Sequence, residues 1–282
     1  MAILTEEDRA FFEENGYVVV LDVVPKENCE AVINALFEFL GMDRNNPEDW
    51  YRPPLKTGGM IEIYQHQALW NNRQYPRLHQ VYSEIWGMEQ LCVTIDRAGF
   101  KPPQHPDHPE FDHKGFAHWD VDTSKLPIRF GVQGVLCLSD TEPGMGGFQC
   151  VPGFHRGLEE WIRTLPPDRN PRVPDLSTLP PDKRVVPIPA KQGSLIIWNN
   201  LLLHGNGHNV SKQPRFSQYI SMFPASRLME ETRQARIAQW RDHTPPYTQT
   251  FPGDPRKIEE QFGTTAELTP LGRKLLGLDP WD

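Results

Sequence analysis

A chain of 282 residues is long enough for one large domain or two small ones, and decorated barrels commonly fill that length as a single unit. Hydrophobic residues at 38% and eight Trp supply a substantial core, while 28 Pro, 21 Gly and a mean hydropathy of -0.56 point to many turns and long polar connections rather than to disorder. A formal charge of -8 without any Lys/Arg-rich run excludes nucleic acid and anionic membrane as partners and leaves a small molecule as the expected one.

Residues 5–15 predict a helix that Thr5 caps, with Asp8 three positions on and Gly16 at its end. The β-branched run 17–24 predicts a strand. Pro25 opens a second helix, whose apolar positions Cys29, Val32, Ile33, Leu36, Phe37 and Leu40 recur at helical spacing before Gly41. A further helix spans 70–86, broken or started near Pro76. After residue 90 short strand candidates take over at 91–96, 128–139, 147–151, 185–188, 194–198 and 215–223, separated by Gly, Pro and Asp turns. Helices first and strands later predict a mainly β protein with flanking helices, an antiparallel sandwich or barrel. The whole of 1–282 reads as one domain, with the helices of 1–90 and an extension at 225–282 packed on the barrel. Residues 165–189 are Pro-rich and charged, and fit either a lid or a solvated excursion.

Four scattered cysteines without a C-x-x-C pair predict buried thiols in a reducing compartment. The N-terminus has no basic and apolar leader pattern, and no apolar run approaches the ~18 residues of a membrane span. The expectation is a cytoplasmic protein. Its oligomeric state has no signature in the sequence.

Chemistry concentrates in two segments. In extended backbone, residues i and i+2 share a face, so His118 and Asp120 can reach one metal while Trp119 turns away. Further along, an apolar strand ends at His204 in a Gly-rich turn, and Arg215 opens another strand. Two His and one carboxylate form the facial set used for Fe(II), with three positions left for a bidentate oxo-acid and O2. Such a site carries +1 and favours an incoming dianion. Arg215 offers a planar fork to the far carboxylate of that dianion, with Ser217 and Tyr219 on the same strand face.

These residues belong to a larger pattern. H-W-D at 118–120, GVLCLSDTEPGMGGFQCVPGFH at 134–155 and H-G-N-G-H-N from His204, followed by Arg215, resemble the phytanoyl-CoA dioxygenase family of Fe(II)/2-oxoglutarate oxygenases. The opening EENGYVVVLDVV and PKENCEAVINALFEFL resemble that family's beginning, so the similarity runs through most of 5–225. It implies a double-stranded β-helix (a cupin-like jelly roll) with His118, Asp120 and His204 as iron ligands and Arg215 as the 2-oxoglutarate ligand. Asn206 stands where the family usually has a hydroxyl residue beside that same carboxylate, and Gln133 is placed near the co-substrate's metal-proximal carboxylate. The implied reaction oxidises a small organic metabolite, most simply by hydroxylation, while 2-oxoglutarate and O2 yield succinate and CO2. Halogenating relatives replace the carboxylate ligand; Asp120 is retained here, which points to oxygenation.

Rival ligands surround this set. His105, His108 and His113 form a second histidine-rich stretch, His208 competes with His204, and His155 ends the middle motif. Asp122 lies four residues from His118, ~13 Å of extended chain, too far for one metal unless the strand bends. Trp70, Trp119, Phe148 and Trp198 are candidates for the pocket wall. Two other functional classes use the same ligands: a zinc-type metalloenzyme, which needs no Arg215 clamp, and a non-catalytic jelly-roll binding protein, which needs no intact triad.

Overall fold

The computed structural model describes residues 2–281. Helix α1 (Glu6–Asn15) starts with a reciprocal capping box between Thr5 and Asp8, and Gly16 closes it in the left-handed conformation, its N–H donating to the Phe12 carbonyl. Strand β1 (Tyr17–Val20) then enters the sheet, and α2 (Lys26–Leu40) buries Cys29, Val32, Ile33, Leu36, Phe37 and Leu40 as the spacing predicts. After β2 (Met60–Ile61), the expected helix at 70–86 is two: α3 (Gln67–Arg73) and α4 (Pro76–Trp86). Tyr75 between them is extended, the conformation that a following proline imposes.

The strand-rich part runs β3 (Leu91–Val93), β4 (Ala98–Lys101), β5 (Phe116–His118), β6 (Val132–Cys137) and β7 (Phe148–Cys150). A short α5 (Leu158–Ile162) follows, then β8 (Val186–Pro187), β9 (Leu195–Asn199), β10 (His204–Asn206), β11 (Arg215–Tyr219) and β12 (Met222–Pro224). One sheet has the order β1-β9-β6-β11-β4-β2, a second β5-β10-β7-β8, and β12 pairs with β3. All these pairings are antiparallel. The two larger sheets form the double-stranded β-helix. The single strand expected at 215–223 divides because β11 stays in the large sheet while β12 leaves it for β3.

Strand β4 escapes propensity, since Ala-Gly-Phe-Lys reads as a turn. Its glycine is needed: a Cβ on Gly99 would sit 2.8 Å from Ser217 Oγ on β11. Buried apolar residues divide among three clusters. The largest joins α2, α3 and α4 to the large sheet; a second, with Val135, Phe148, Ile196 and Trp198, fills the space between the sheets. A third gathers Trp119, Phe154, Leu158 and Trp161 behind the H-W-D segment.

The extension comprises α6 (Glu230–Asp242), α7 (Ile258–Phe262) and α8 (Pro270–Leu276). Buried Arg236 donates to the carbonyls of Val93, Leu275 and Leu276, and Trp281 Nε1 to that of Leu91. The Glu259 carboxylate accepts the Tyr64 and Gln65 amides. Among the described residues no helix is long and apolar enough to cross a membrane.

Candidate metal centre

Strand β5 carries His118 at its last position, and antiparallel β10 carries His204 at its first. The register places the two residues directly opposite each other, with ring centroids 4.8 Å apart. Close approach of the strands depends on Gly205, where a Cβ would lie 1.9 Å from the Phe116 carbonyl oxygen. Just past the end of β5, Asp120 turns back between the rings: Oδ1 lies 3.4 Å from His118 Nε2 and Oδ2 3.4 Å from His204 Nε2. One ligand atom from each residue lies within 4.8 Å of the others, and the described residues contain no second group of three or more such side chains.

The surroundings fix these side chains. His204 Nδ1 lies 2.9 Å from the Leu202 carbonyl, which orients the ring so that Nε2 faces Asp120 and the centre. Trp198 Nε1 donates to Gln133 Oε1 at 3.2 Å, and Gln133 Nε2 donates to Asp120 Oδ2 at 2.6 Å. Burial opposes ionisation of Asp120, yet hydrogen bonds from His118, His204 and Gln133 more than offset it and hold the carboxyl well below its ordinary range. The centre therefore presents one carboxylate and two imidazoles with no Lys or Arg paired to the carboxylate among the described residues. Two nitrogens and one hard oxygen fit Fe(II).

Next to the triad lies a small cavity bounded by Gly59, Gly99, Lys101, Asn206, Arg215 and Tyr219. Arg215 is 3% exposed, and its Nε has no partner among the described residues. Lys101, 6% exposed, stands directly opposite it in the β4–β11 register and donates to the Gly207 carbonyl. Burial, then the Arg215 charge, push the Lys101 ammonium down to about 8, with Asp112 acting the other way. Asn206 Nδ2 donates to the Tyr219 hydroxyl at 2.9 Å. Two cations thus share one pocket.

Of the sequence candidates, the structure brings together His118, Asp120, His204 and Gln133 at the centre, and Asn206 and Arg215 at the cavity. Gln133 has both ends of its amide engaged, one on Asp120 and one on Trp198. Ser217 packs against Gly99 instead of lining the cavity. Lys101 escaped sequence reasoning, because only strand register sets it opposite Arg215. Among the rival ligands, His113 lines the Arg215 cavity, 3.3 Å from Lys101 Nζ, and the others lie elsewhere. His108 stacks on Tyr51 and His105 packs tilted against it, His208 meets Asp112, His155 reaches the Glu13 carbonyl, and Asp122 caps Ser124. Phe148 and Trp198 flank His204, whereas Trp70 and Trp119 are fully buried core.

The Pro-rich segment crosses the turn that carries Asp120. The Arg172 carbonyl accepts the Trp119 amide at 2.8 Å, and the Arg172 guanidinium donates to the Asp120 carbonyl. Thr123 Oγ1 donates to the Pro171 carbonyl, while Arg169 reaches the Thr123 hydroxyl and carbonyl.

Comparison with known proteins adds independent findings. The family model "Phytanoyl-CoA dioxygenase" matches residues 12–217. A Dictyostelium discoideum protein named "Putative phytanoyl-CoA dioxygenase" is 26% identical over 277 residues, covering 81% of this chain and 78% of that protein. The ectoine dioxygenase of Sphingopyxis alaskensis is 21% identical over 289 residues, covering 95% of this chain and 90% of its own. The crystal structure of the epimerase SnoN in complex with Fe3+, alpha ketoglutarate and nogalamycin RO superposes with a TM-score of 0.55 at 16% identity, covering 78% of this chain and 83% of that one. At that identity the likeness speaks for the fold.

Proposed function

Since this chain belongs to the phytanoyl-CoA dioxygenase family and is a dioxygenase-type enzyme, we propose that it uses Fe(II) and 2-oxoglutarate to oxidise a small organic metabolite, most simply by hydroxylation. His118, Asp120 and His204 would hold the iron, and Arg215 the distal carboxylate of 2-oxoglutarate. The observation that carries this reading is the pairing of a converging His-Asp-His set with a dicationic cavity beside it. When bound, iron and 2-oxoglutarate together supply an oxidant derived from O2, with succinate and CO2 as co-products.

The chain's own residues supply placement and charge. Neutral imidazoles and one carboxylate leave an Fe(II) site at +1, and Arg215 with protonated Lys101 adds two further positive charges near where a dianion would lie. Charge-assisted hydrogen bonds of this kind contribute ~1.5–3 kcal/mol each. Asn206, steered by Tyr219, presents its amide along the cavity wall. Gln133 keeps the Asp120 carboxylate turned towards the histidines, and Trp198 keeps Gln133 in place. Phe148 and Trp198 pack beside the His204 ring and exclude water from that side.

The test is succinate formation from 2-oxoglutarate by purified protein with added Fe(II) and ascorbate. The reading predicts succinate that depends on protein, iron and O2 and is abolished in Asp120→Ala. Succinate formation unchanged in Asp120→Ala would remove the triad from the reaction.

A further inference from the structure

Around the triad, one side is closed and the other open. His204 is buried, with Trp198 and Phe148 against it, but the Asp120 side chain is 51% exposed. Two side chains border the open side. Phe116 lies two residues before His118 on the same face of β5, and its ring stacks on the His118 imidazole with centroids 4.7 Å apart. The residue is nonetheless 48% exposed. One face rests on a proposed iron ligand, and much of the remaining apolar surface is left to water.

Arg172 borders the other flank. Its backbone carbonyl is fixed by the Trp119 amide, and its guanidinium donates to the Asp120 carbonyl, a neutral acceptor. Arg169 behind it likewise bonds neutral oxygens, on Thr123 and Asn170. Neither guanidinium is matched by a carboxylate within ion-pair distance among the described residues. In a chain of net charge -8, this is a local concentration of positive charge beside the proposed reaction centre. One bond to a carbonyl leaves most of the five N–H donors of Arg172 for a ligand, and the guanidinium fork matches a carboxylate.

We propose that the substrate is a small organic carboxylate with an apolar ring or chain, its apolar part seated on Phe116 and its carboxylate held by Arg172, so that the bonds between them pass over the metal. This rests on the iron and 2-oxoglutarate reading of the same centre. Phe116 and Asp120 are four residues apart, at most ~13 Å of extended chain. The space between a ring on Phe116 and a carboxylate beside Asp120 therefore suits a molecule of one ring and two or three carbons, and Val173, exposed next to Arg172, extends the apolar border.

The test uses 3-phenylpropanoate, 3-cyclohexylpropanoate and 3-phenylpropanamide as probes, with binding to the metal-free full-length protein followed by ligand-observed NMR. Both carboxylates are expected to bind at least tenfold more tightly than the amide. Arg172→Gln should bring the carboxylates to the amide's level without changing the amide, and Arg172→Lys, which keeps the charge, should restore part of the preference. Phe116→Ala should weaken all three probes at least fivefold and leave 2-oxoglutarate affinity within twofold. Equal binding of amide and carboxylate, absence of binding by every probe, or a carboxylate preference that survives in Arg172→Gln overturns the proposal. So does a Phe116→Ala variant that loses 2-oxoglutarate as strongly as the probes, since Phe116 would then belong to the co-substrate site. The affinity of the wild-type protein for 2-oxoglutarate with Fe(II) is titrated without any probe present, so failure of the co-substrate reading shows there and not in the probe series.

Discussion

Lys101 makes the proposed co-substrate site sensitive to pH in a direction the structure dictates. Burial and the neighbouring Arg215 charge bring its ammonium down to about 8, so roughly nine in ten molecules carry the charge at pH 7 and about one in ten at pH 9. A dianion in the cavity favours the protonated form and raises its pKa by the free energy of the new bond, ~1.5–3 kcal/mol, or one to two units. Working through the linkage, the dissociation constant of 2-oxoglutarate should rise about five- to tenfold between pH 7 and pH 9. His113, 3.3 Å from Lys101 Nζ, is held below its ordinary value by burial and then by that ammonium, so it is already neutral across this window. Isothermal titration of 2-oxoglutarate into Ni(II)-loaded protein at several pH values measures the slope. Lys101→Met should bind about tenfold or more weakly at pH 7 and show little pH dependence. Without ligand the sign reverses: the folded value lies below 10.5, so unliganded stability should rise with pH from about 8 towards 10.5. A wild-type slope retained in Lys101→Met would refute the assignment.

Other consequences follow from single contacts. Gln133→Leu removes the donor to Asp120 Oδ2 and should weaken metal binding about 10- to 100-fold while sparing 2-oxoglutarate affinity at saturating metal; a selective loss of 2-oxoglutarate would instead place Gln133 on the co-substrate. Gly205→Ala puts a Cβ 1.9 Å from the Phe116 carbonyl oxygen, so β5 and β10 must part and metal binding should collapse, as a Co(II) titration would register. Trp119→Ala removes a fully buried ring and its bond to the Leu201 carbonyl. It should cost ~3–5 kcal/mol in urea unfolding, and a change under 1 kcal/mol would contradict its core role.

What the sequence revealed depended on how local the signal was. The H-W-D alternation is a property of three neighbouring residues, so it reads directly as two side chains on one face, with Trp119 in the core behind them. The caps at Gly16 and Gly41 and the break before Pro76 are equally local. Lys101 and the Trp198–Gln133–Asp120 chain were out of reach, since each needs strands distant in sequence to pair in one register. The segment 165–189 offered two readings from its composition. Bonds between Arg169, Pro171 and Arg172 and residues 119–123 decide that it lies against the turn that carries Asp120.

The central claim is that His118, Asp120, His204 and Arg215 together bind Fe(II) and 2-oxoglutarate. Anaerobic addition of Fe(II) and 2-oxoglutarate to the purified protein, followed by visible absorption, tests it most directly, because chelation of the iron by the keto acid produces a charge-transfer band. The account predicts a band that requires protein, metal and 2-oxoglutarate together, is absent in Asp120→Ala, and needs far more 2-oxoglutarate in Arg215→Ala at an unchanged iron requirement. No band in the wild-type protein, or an undiminished one in Asp120→Ala, would contradict it.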